Sequence, residues 1–431
     1  MIVPLPVMID ARAADLVREG MDKMNTLRTT IALLVGIVAV VGPAAAQTIF
    51  QNPEYEYVID LPVSWQVVDA NNPAFASFTD PNRATVLQIF AFPPERFDGA
   101  TQIDTFFRQQ LGVEGDREQY IFAGSDAVFA DYRYETAGTV MRGYMLFLDH
   151  DRYDAAVLSL AKQDLWAAYH DVLLSQLDGF SATLAERELP GPVAYYVLAT
   201  GQSTGNDTSS GAPGRELVLP SGRNVTMPDV VASDAAIEAA QVLIEREARL
   251  LTAYQPLPGQ SPRVAPGAVP PWVAAWRRYF RMIYRDNFAR LEPVAELVFD
   301  DLVRADHARS DYPAVLLEWL QGAEFVRTGD LSDLMSPGAC LVSYSGDCDS
   351  LGLTYAILLE HLGFDAILML SAEYEHAMVG VDVPGAGARF PFDGRDWLVA
   401  ELTAEVALGQ IAAEMADPAG WIGVDLDPTR P

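Results

Sequence analysis

Cys348, His376 and Glu401 are the residues of this chain whose types and order best fit covalent chemistry. Cys348 lies in the run Gly-Asp-Cys-Asp, directly before an apolar segment with leucines at helical spacing. A thiol at the N-terminus of a helix faces unpaired N–H groups and the positive end of the helix dipole, which favour the thiolate. The three residues therefore predict a nucleophile, a base and an acid that orients the base.

One helix and three strands are predicted around these side chains. The apolar spacing predicts a helix over Ser350–Leu362, which ends at Gly363. The run Asp-Ala-Ile-Leu-Met-Leu-Ser predicts a strand, and the alternating segment that opens with His376 predicts a second one. Glu401 lies in a further apolar segment, which is predicted to form the neighbouring strand. A helix followed by adjacent strands would bring the thiol, imidazole and carboxylate together.

Each residue also has a structural interpretation. Cysteine is often a small buried apolar residue, and a histidine on an apolar strand is often a satisfied core group. Asp393, in a Phe-Asp-Gly turn, competes with Glu401 for the role of the acid. We prefer Glu401, because a buried carboxylate needs a partner whereas a turn already explains an aspartate. Asp347 and Asp349 oppose thiolate formation and are predicted to cap the helix or hold the loop.

The three segments, in this order, resemble the transglutaminase-like superfamily, and most of all the bacterial transglutaminase-like cysteine peptidases, whose core is papain-like. GDCDSLGLTYAILLEHLG is similar to their nucleophile helix, EHAMVGV to their histidine strand, and FDGRDWLVAELTAEVALGQI to the strand of the third residue. The resemblance covers about Leu316–Trp421. It implies an α+β fold and catalytic machinery, but members hydrolyse amide bonds, cross-link them or have lost activity.

The resemblance also suggests an oxyanion donor. Relatives carry a glutamine ahead of their cysteine segment, and Gln321 stands at a similar place, on a helix predicted over Pro313–Phe325. Acyl chemistry at a thiol requires such a donor, often paired with the N–H of the cysteine itself. A plain surface glutamine is the alternative.

The two cysteines, Cys340 and Cys348, bear on the catalytic interpretation. In an oxidising compartment they could form a disulfide, which would remove the nucleophile. We expect them to lie apart, with Cys348 reduced. The sequence contains no histidine and cysteine set at zinc spacing and no phosphate-binding loop, so neither a metal nor a cofactor is predicted.

Residues 1–46 are predicted to be a targeting segment. A basic start at Asn25–Arg28, a short apolar core at Ile31–Val41 and the small residues Ala44–Ala46 are typical of a cleaved signal peptide. The residues before Met24 have no role in such a signal, which suggests a later translation start. The apolar core is too short to favour a permanent anchor. We therefore expect an exported protein, periplasmic or secreted, without stable membrane insertion after cleavage.

Length and charge limit the remaining classes. The chain has 431 residues and suggests two domains, at 47–190 and 215–431, joined by a flexible linker at 191–214 that is rich in glycine and serine. With 59 acidic and 29 basic residues, the net charge is −30, which excludes nucleic acid as a default partner. The expected partner is a peptide or protein substrate.

The segment 47–190 is predicted to be an α+β domain with an antiparallel sheet. Strands are expected at Thr85–Phe92 and in a hairpin of Thr139–Leu148 with Arg152–Leu160, followed by a helix over Gln163–Leu177. The opening EYVIDLPVSW, the sheet and the closing helix resemble the PsbP-like fold. No catalytic constellation occurs in this segment, so a binding or spacer role is expected.

A helix predicted over Trp272–Leu291 carries Arg277, Arg281 and Arg285 at intervals of one turn. In an acidic protein this basic stripe could bind an anionic partner or neutralise the protein's own carboxylates, and we expect the internal use.

For the whole chain, the predicted function is that of an exported thiol-dependent acyl-transfer enzyme, a cysteine peptidase or amidase. The alternatives are an inactive scaffold that binds peptides or proteins, and a cross-linking transglutaminase.

Overall fold

The structure is a computed structural model that describes residues 48–62, 65–94, 96–136, 138–200, 215–254, 263–264, 268–329 and 331–427. Two compact units divide the chain: the first comprises Met1–Arg187 and Gly191–Tyr196, and the second comprises Glu188–Pro190 and Val197–Pro431. The predicted signal segment lies outside the described residues, as do residues 201–214 of the predicted linker. Residues 192–199 of that linker form a helix.

The first unit is an α+β assembly with antiparallel sheets, as predicted. Its main sheet has the strand order β3-β4-β5-β9-β8-β7-β6, and a smaller sheet has the order β1-β2-β10. The predicted strand at Thr85–Phe92 and the predicted hairpin, β8 with β9, are both confirmed. The strands are β1 (Thr48–Gln51), β2 (Val58–Leu61), β3 (Gln66–Asn72), β4 (Phe75–Thr79), β5 (Thr85–Phe92), β6 (Glu114–Phe122), β7 (Ser125–Thr136), β8 (Thr139–His150), β9 (Tyr153–Lys162) and β10 (Phe180–Ser181).

Two helices of the first unit lie on opposite faces of this sheet. Helix α1 (Ala100–Leu111) packs Phe107 against Phe147 of β8, with ring centroids 5.5 Å apart. Helix α2 (Trp166–Asp178) instead contacts Tyr144 of β8 through His170. Because successive side chains of a strand point to opposite faces, residues 144 and 147 place the two helices on different sides. Helix α3 (Pro192–Ala199) follows and carries the chain into the second unit.

The second unit is also α+β and contains all the predicted site residues. Its main sheet has the order β17-β18-β16-β15-β19, with every neighbouring pair antiparallel. The strands are β11 (Glu216–Val218), β12 (Asn224–Thr226), β13 (Glu324–Phe325), β14 (Ser345–Gly346), β15 (Ala366–Ser371), β16 (His376–Val381), β17 (Arg389–Phe392), β18 (Arg395–Ala400) and β19 (Ile422–Asp425). The helices are α4 (Asp229–Ala232), α5 (Asp234–Thr252), α6 (Pro271–Arg304), α7 (Tyr312–Gln321), α8 (Pro337–Ser343) and α9 (Cys348–His361).

Helix α9 is the predicted nucleophile helix, and it begins two residues before the predicted start. Asp347 is its N-cap, and the Asp347 carboxylate accepts a hydrogen bond of 2.9 Å from the Ser350 N–H. The helix packs across β15 and β16, and Gly352 faces the side chains of Leu368 and Val379. The helix and the two strands that follow it therefore have the predicted order.

Helices α6 and α7 differ in length from their predictions. Helix α6 runs on from the predicted end at Leu291 to Arg304, through Pro293. Proline removes one backbone hydrogen bond, but buried residues beyond it, such as Val298 and Leu302, keep the helix packed against the core. Helix α7 ends at Gln321, before the predicted Phe325, and Glu324–Phe325 then pairs with β14 in parallel. No helix within the described ranges is long and apolar enough to cross a membrane.

Candidate active site

His376 and Glu401 form a hydrogen-bonded pair at one edge of the second sheet. His376 is the first residue of β16, and Glu401 follows the last residue of the adjacent strand β18. The His376 Nε2 atom lies 2.7 Å from a Glu401 carboxylate oxygen, with side-chain exposures of only 12% and 8%. The pairing of the two strands thus brings the predicted base and the predicted acid into contact.

The second carboxylate oxygen of Glu401 is held by Thr403, which donates its backbone N–H and its hydroxyl at 2.7 Å each. Burial raises the pKa of Glu401, but the hydrogen bond and charge of His376 and the bonds from Thr403 outweigh burial and leave it below the ordinary value. The ionised Glu401 therefore fixes the imidazole through Nε2. The Nδ1 atom is then the ring nitrogen available for exchange of a proton with a reacting group.

Cys348 is the first residue of α9 and lies against the start of β16. The backbone N–H of Ala377, the residue after His376, lies near the Cys348 sulfur and acts to lower the pKa of the thiol. The thiol donates to an Asp349 carboxylate oxygen at 3.6 Å, and the residue is only 4% exposed. The structure thus brings the helix that carries Cys348 to the end of the strand that carries the histidine.

The expected lowering of the Cys348 pKa is not observed. Burial raises the pKa of this thiol well above its ordinary value, the charges of Asp349 and Asp347 raise it further, and the Ala377 N–H only partly offsets these effects. The helix N-terminus favours a thiolate, but desolvation and two adjacent carboxylates are stronger here. These effects favour the protonated thiol over the thiolate.

Asp349 has a larger influence on the site than the sequence predicts. Burial and the neighbouring Asp347 raise its pKa to about 7, while Cys348 and His376 lower it. Asp347 caps the helix as predicted, but Asp349 contacts the thiol directly. The sequence does show an acidic residue directly after the cysteine in Gly-Asp-Cys-Asp. The desolvation of that aspartate, however, depends on the tertiary fold.

Gln321 lies next to the acid rather than presenting its amide to the thiol. Its Nε2 donates to the carbonyl oxygens of Glu401 at 2.8 Å and of Val406 at 2.9 Å. Both amide hydrogens are engaged by these bonds, so the side chain braces the Glu401 segment. This geometry differs from the oxyanion role that the resemblance suggests, because α7 ends beside the chain that follows β18.

Asp393, the alternative to Glu401, is not the carboxylate that contacts His376. Asp393 lies in the turn between β17 and β18 with a positive φ of 49°, and the carboxylate that contacts His376 is that of Glu401. Cys340 and Cys348 are both reduced, as expected. The Cys340 sulfur lies 3.7 Å from the Met335 carbonyl oxygen, and burial raises its pKa to about 12.

Trp421 is a site neighbour that the sequence analysis missed. Its ring lies edge-on to the His376 ring with centroids 6.2 Å apart, and Tyr374 packs on it at 5.5 Å. Trp421 directly precedes β19, which pairs with β15 rather than with the histidine strand. No spacing in the sequence indicates this contact. Trp421 thus contacts the imidazole directly, and Tyr374 packs behind it.

Known proteins offer little for comparison. Neither the protein-family models nor the curated proteins match the chain. Among solved structures, cyanobacterial PsbP from Synechocystis is similar over 34% of this chain and 98% of that one, with 16% identity and a TM-score of 0.28. LpqN of Mycobacterium tuberculosis, involved in cell envelope biogenesis, is similar over 30% and 92%, with 13% identity and a TM-score of 0.22. A Bacteroides thetaiotaomicron protein is similar over 82% and 88%, with 10% identity and a TM-score of 0.22.

The described residues include no group of histidine, cysteine, aspartate or glutamate side chains arranged to hold a metal ion.

Proposed function

We propose that this protein is an exported thiol-dependent acyl-transfer enzyme, a transglutaminase-like cysteine peptidase or amidase that acts on peptide amide bonds. The observation that carries the proposal is the 2.7 Å contact between His376 and Glu401, with the Cys348 sulfur against the next residue of the histidine strand. A fixed imidazole beside a thiol at a helix N-terminus is the arrangement that nucleophilic catalysis by cysteine requires.

The proposed reaction begins with transfer of the Cys348 proton to Nδ1 of His376. The thiolate then attacks the substrate carbonyl carbon and forms a C–S bond, while the carbonyl oxygen gains the negative charge. Collapse of this intermediate breaks the C–N bond, and the amine leaves with the proton from His376. Water, deprotonated by the same imidazole, attacks the thioester and restores the thiol. A primary amine in place of water would give cross-linking.

The negative oxygen requires hydrogen-bond donors. The first N–H groups of a helix have no acceptor within the helix, so the backbone N–H of Cys348 is suited to this role. Gln321 contributes indirectly by bracing the Glu401 segment. Ionised Glu401 stabilises the imidazolium that forms when His376 accepts the proton.

An inactive peptide-binding scaffold is the second candidate. The observation that favours it is the burial of the Cys348 thiol, which donates a hydrogen bond to Asp349. For catalysis, substrate binding must expose the sulfur and separate it from Asp349. A scaffold requires neither step.

A peptide-library assay on the mature protein distinguishes the candidates. Cleavage and incorporation of an added primary amine are scored separately for wild type, Cys348→Ser and Cys340→Ser. The enzyme proposal predicts turnover in wild type and in Cys340→Ser, the matched control, and its loss in Cys348→Ser. Turnover that persists in Cys348→Ser would overturn the thiol mechanism, and a wild type without turnover that still binds peptide would establish the scaffold.

The export proposal and the role of the first unit rest on separate grounds. We propose that the chain is cleaved near Gln47 and acts in the periplasm or outside the cell, because residues 1–46 have the composition of a signal peptide. The first unit, an antiparallel sheet with helices on both faces, is proposed to be a PsbP-like binding module. N-terminal sequencing of protein isolated from cell fractions tests the export proposal, and a cytoplasmic chain that retains its N-terminus would contradict it.

A further inference from the structure

A cavity of about 300 Å³ opens beside helix α6, at the end of the arginine stripe. All of its lining residues belong to the second unit, and they include Arg281, Arg285, Asp427, Tyr284, Phe288 and Leu426. Its volume is at the lower end of the range typical of small-molecule sites. Two arginines, one carboxylate and apolar surface thus share one concave space.

Arg281 is buried in this wall, with 5% exposure, and it is incompletely paired. Its Nε donates to the Asp425 carbonyl oxygen at 2.7 Å and its Nη1 to the Glu188 carbonyl oxygen at 2.5 Å. Within the part of the chain that the structure describes, Nη2 has no hydrogen-bond partner. A guanidinium carries five N–H donors, so a buried arginine with two such bonds has capacity for a further acceptor.

Electrostatics support an anionic ligand. Burial lowers the pKa of Arg281 to about 10, and the charges of Glu188, Asp425 and Asp427 only partly offset this effect. The Glu188 carboxylate lies 3.7 Å from Arg281 but 2.7 Å from Arg277, which it pairs more closely. The expected neutralisation of the protein's own carboxylates by the arginine stripe is therefore clearest for Arg277 with Glu188. A buried cation with incomplete pairing gains most from an additional carboxylate, which can accept two parallel N–H bonds.

We infer that this cavity binds a small organic carboxylate with an apolar body. The carboxylate contacts Arg281 and Arg285, and the body packs against Tyr284, Phe288 and Leu426. The site shares no residue with the Cys348 site, and its occupation does not depend on thiol chemistry.

Calorimetry and thermal unfolding of the full chain test this inference with benzoate and hexanoate as probes. Benzyl alcohol and hexanol are the neutral controls of similar size. We expect a saturable heat and a rise in unfolding temperature with at least one carboxylate, and affinity at least tenfold weaker with the alcohols.

The variants separate this cavity from other sites. Arg285→Gln is expected to weaken carboxylate binding at least tenfold, and Ala289→Trp to abolish it by filling the cavity that Ala289 lines. Arg304→Gln, an exposed arginine on the same helix, is the matched control and should bind as wild type does. These variants avoid Arg281, whose replacement could impair folding.

Three results would overturn the inference. One is the absence of binding by both carboxylates, and a second is equal binding of the alcohols, which would indicate an apolar cavity without anion recognition. The third is a result that places the ligand outside this cavity. Unchanged binding in Ala289→Trp would do so, and so would lost binding in Cys348→Ser. Unchanged binding in Cys348→Ser supports a separate site, whether or not the thiol proves catalytic.

Discussion

At the scale of residues, the contact between His376 and Glu401 explains why a carboxylate is buried at the end of a strand. Residue types and chain order were sufficient to predict this contact, because adjacent strands of one sheet place such residues side by side. The raised pKa of Cys348 could not be predicted in the same way. It depends on desolvation and on the contact with Asp349, and both arise only when the helix packs on the sheet.

Glu401→Gln removes the charge that stabilises the imidazolium but retains the size of the side chain. We expect kcat/KM to fall on the order of 10²-fold without complete loss, because the nucleophile and base remain. A steady-state assay on the best library peptide checks this, with Glu405→Gln as an exposed control. Equal activity in Glu401→Gln and wild type would contradict the role of Glu401.

The stability difference between wild type and Glu401→Gln should depend on pH. Since the folded-state pKa of Glu401 lies below the ordinary 4.5, ionised Glu401 stabilises the fold above that pH. This contribution is lost as the pH falls through the lowered folded-state pKa. Urea unfolding should therefore show wild type more stable than Glu401→Gln at pH 7, with a smaller difference at pH 3. A difference that grows towards acid pH would be inconsistent with this sign.

Asp349→Asn is expected to make Cys348 more reactive. Burial is the largest cause of the raised pKa of the thiol, and the charge of Asp349 above pH 7 is the second. The asparagine side chain of the variant carries no such charge. In a Cys340→Ser background, alkylation by iodoacetamide at pH 8 should accelerate about tenfold, the change expected for one pKa unit. Asp396→Asn, at an exposed carboxylate, is the control. If Asp349→Asn reacts no faster than this control, Asp349 does not set the state of the thiol.

At the scale of elements, the sequence predicted those with clear periodicity and failed at boundaries that depend on tertiary contacts. Helix α9 and strands β15 and β16 follow from apolar spacing. Helix α6 continues through Pro293 because its second half is buried, which a local rule about proline does not include. The short parallel pair β13 and β14 also joins segments that no local pattern connects.

The N-cap of α9 provides a test at this scale. Asp347→Ala removes the acceptor of the Ser350 N–H and should lower the free energy of unfolding by about 1–2 kcal/mol. Asp347→Asn retains a capping oxygen and should recover most of this loss. Urea unfolding monitored by circular dichroism measures both. Equal destabilisation by alanine and asparagine would indicate that the charge, not the cap, is what the helix requires.

At the scale of the whole molecule, the antiparallel α+β class was predicted correctly, and charge is the dominant global property. A net charge of −30 produces repulsion that salt screens. We expect the unfolding temperature to rise by a few degrees between 20 and 500 mM sodium chloride, on the order of 1 kcal/mol. Scanning calorimetry measures this change. A fall would show that attractive ion pairs, such as Arg263 with Glu373, outweigh the repulsion.

The proposed function depends on the formation of an acyl-enzyme at Cys348 with the help of His376. The most direct measurement is the intact mass of the mature protein, quenched in acid after mixing with a reactive peptide ester. We expect a transient mass increase equal to the acyl group. It should map to Cys348, persist in Cys340→Ser and be absent in Cys348→Ser. Ester turnover without any adduct on Cys348, or an adduct at another residue, would show that Cys348 is not the nucleophile.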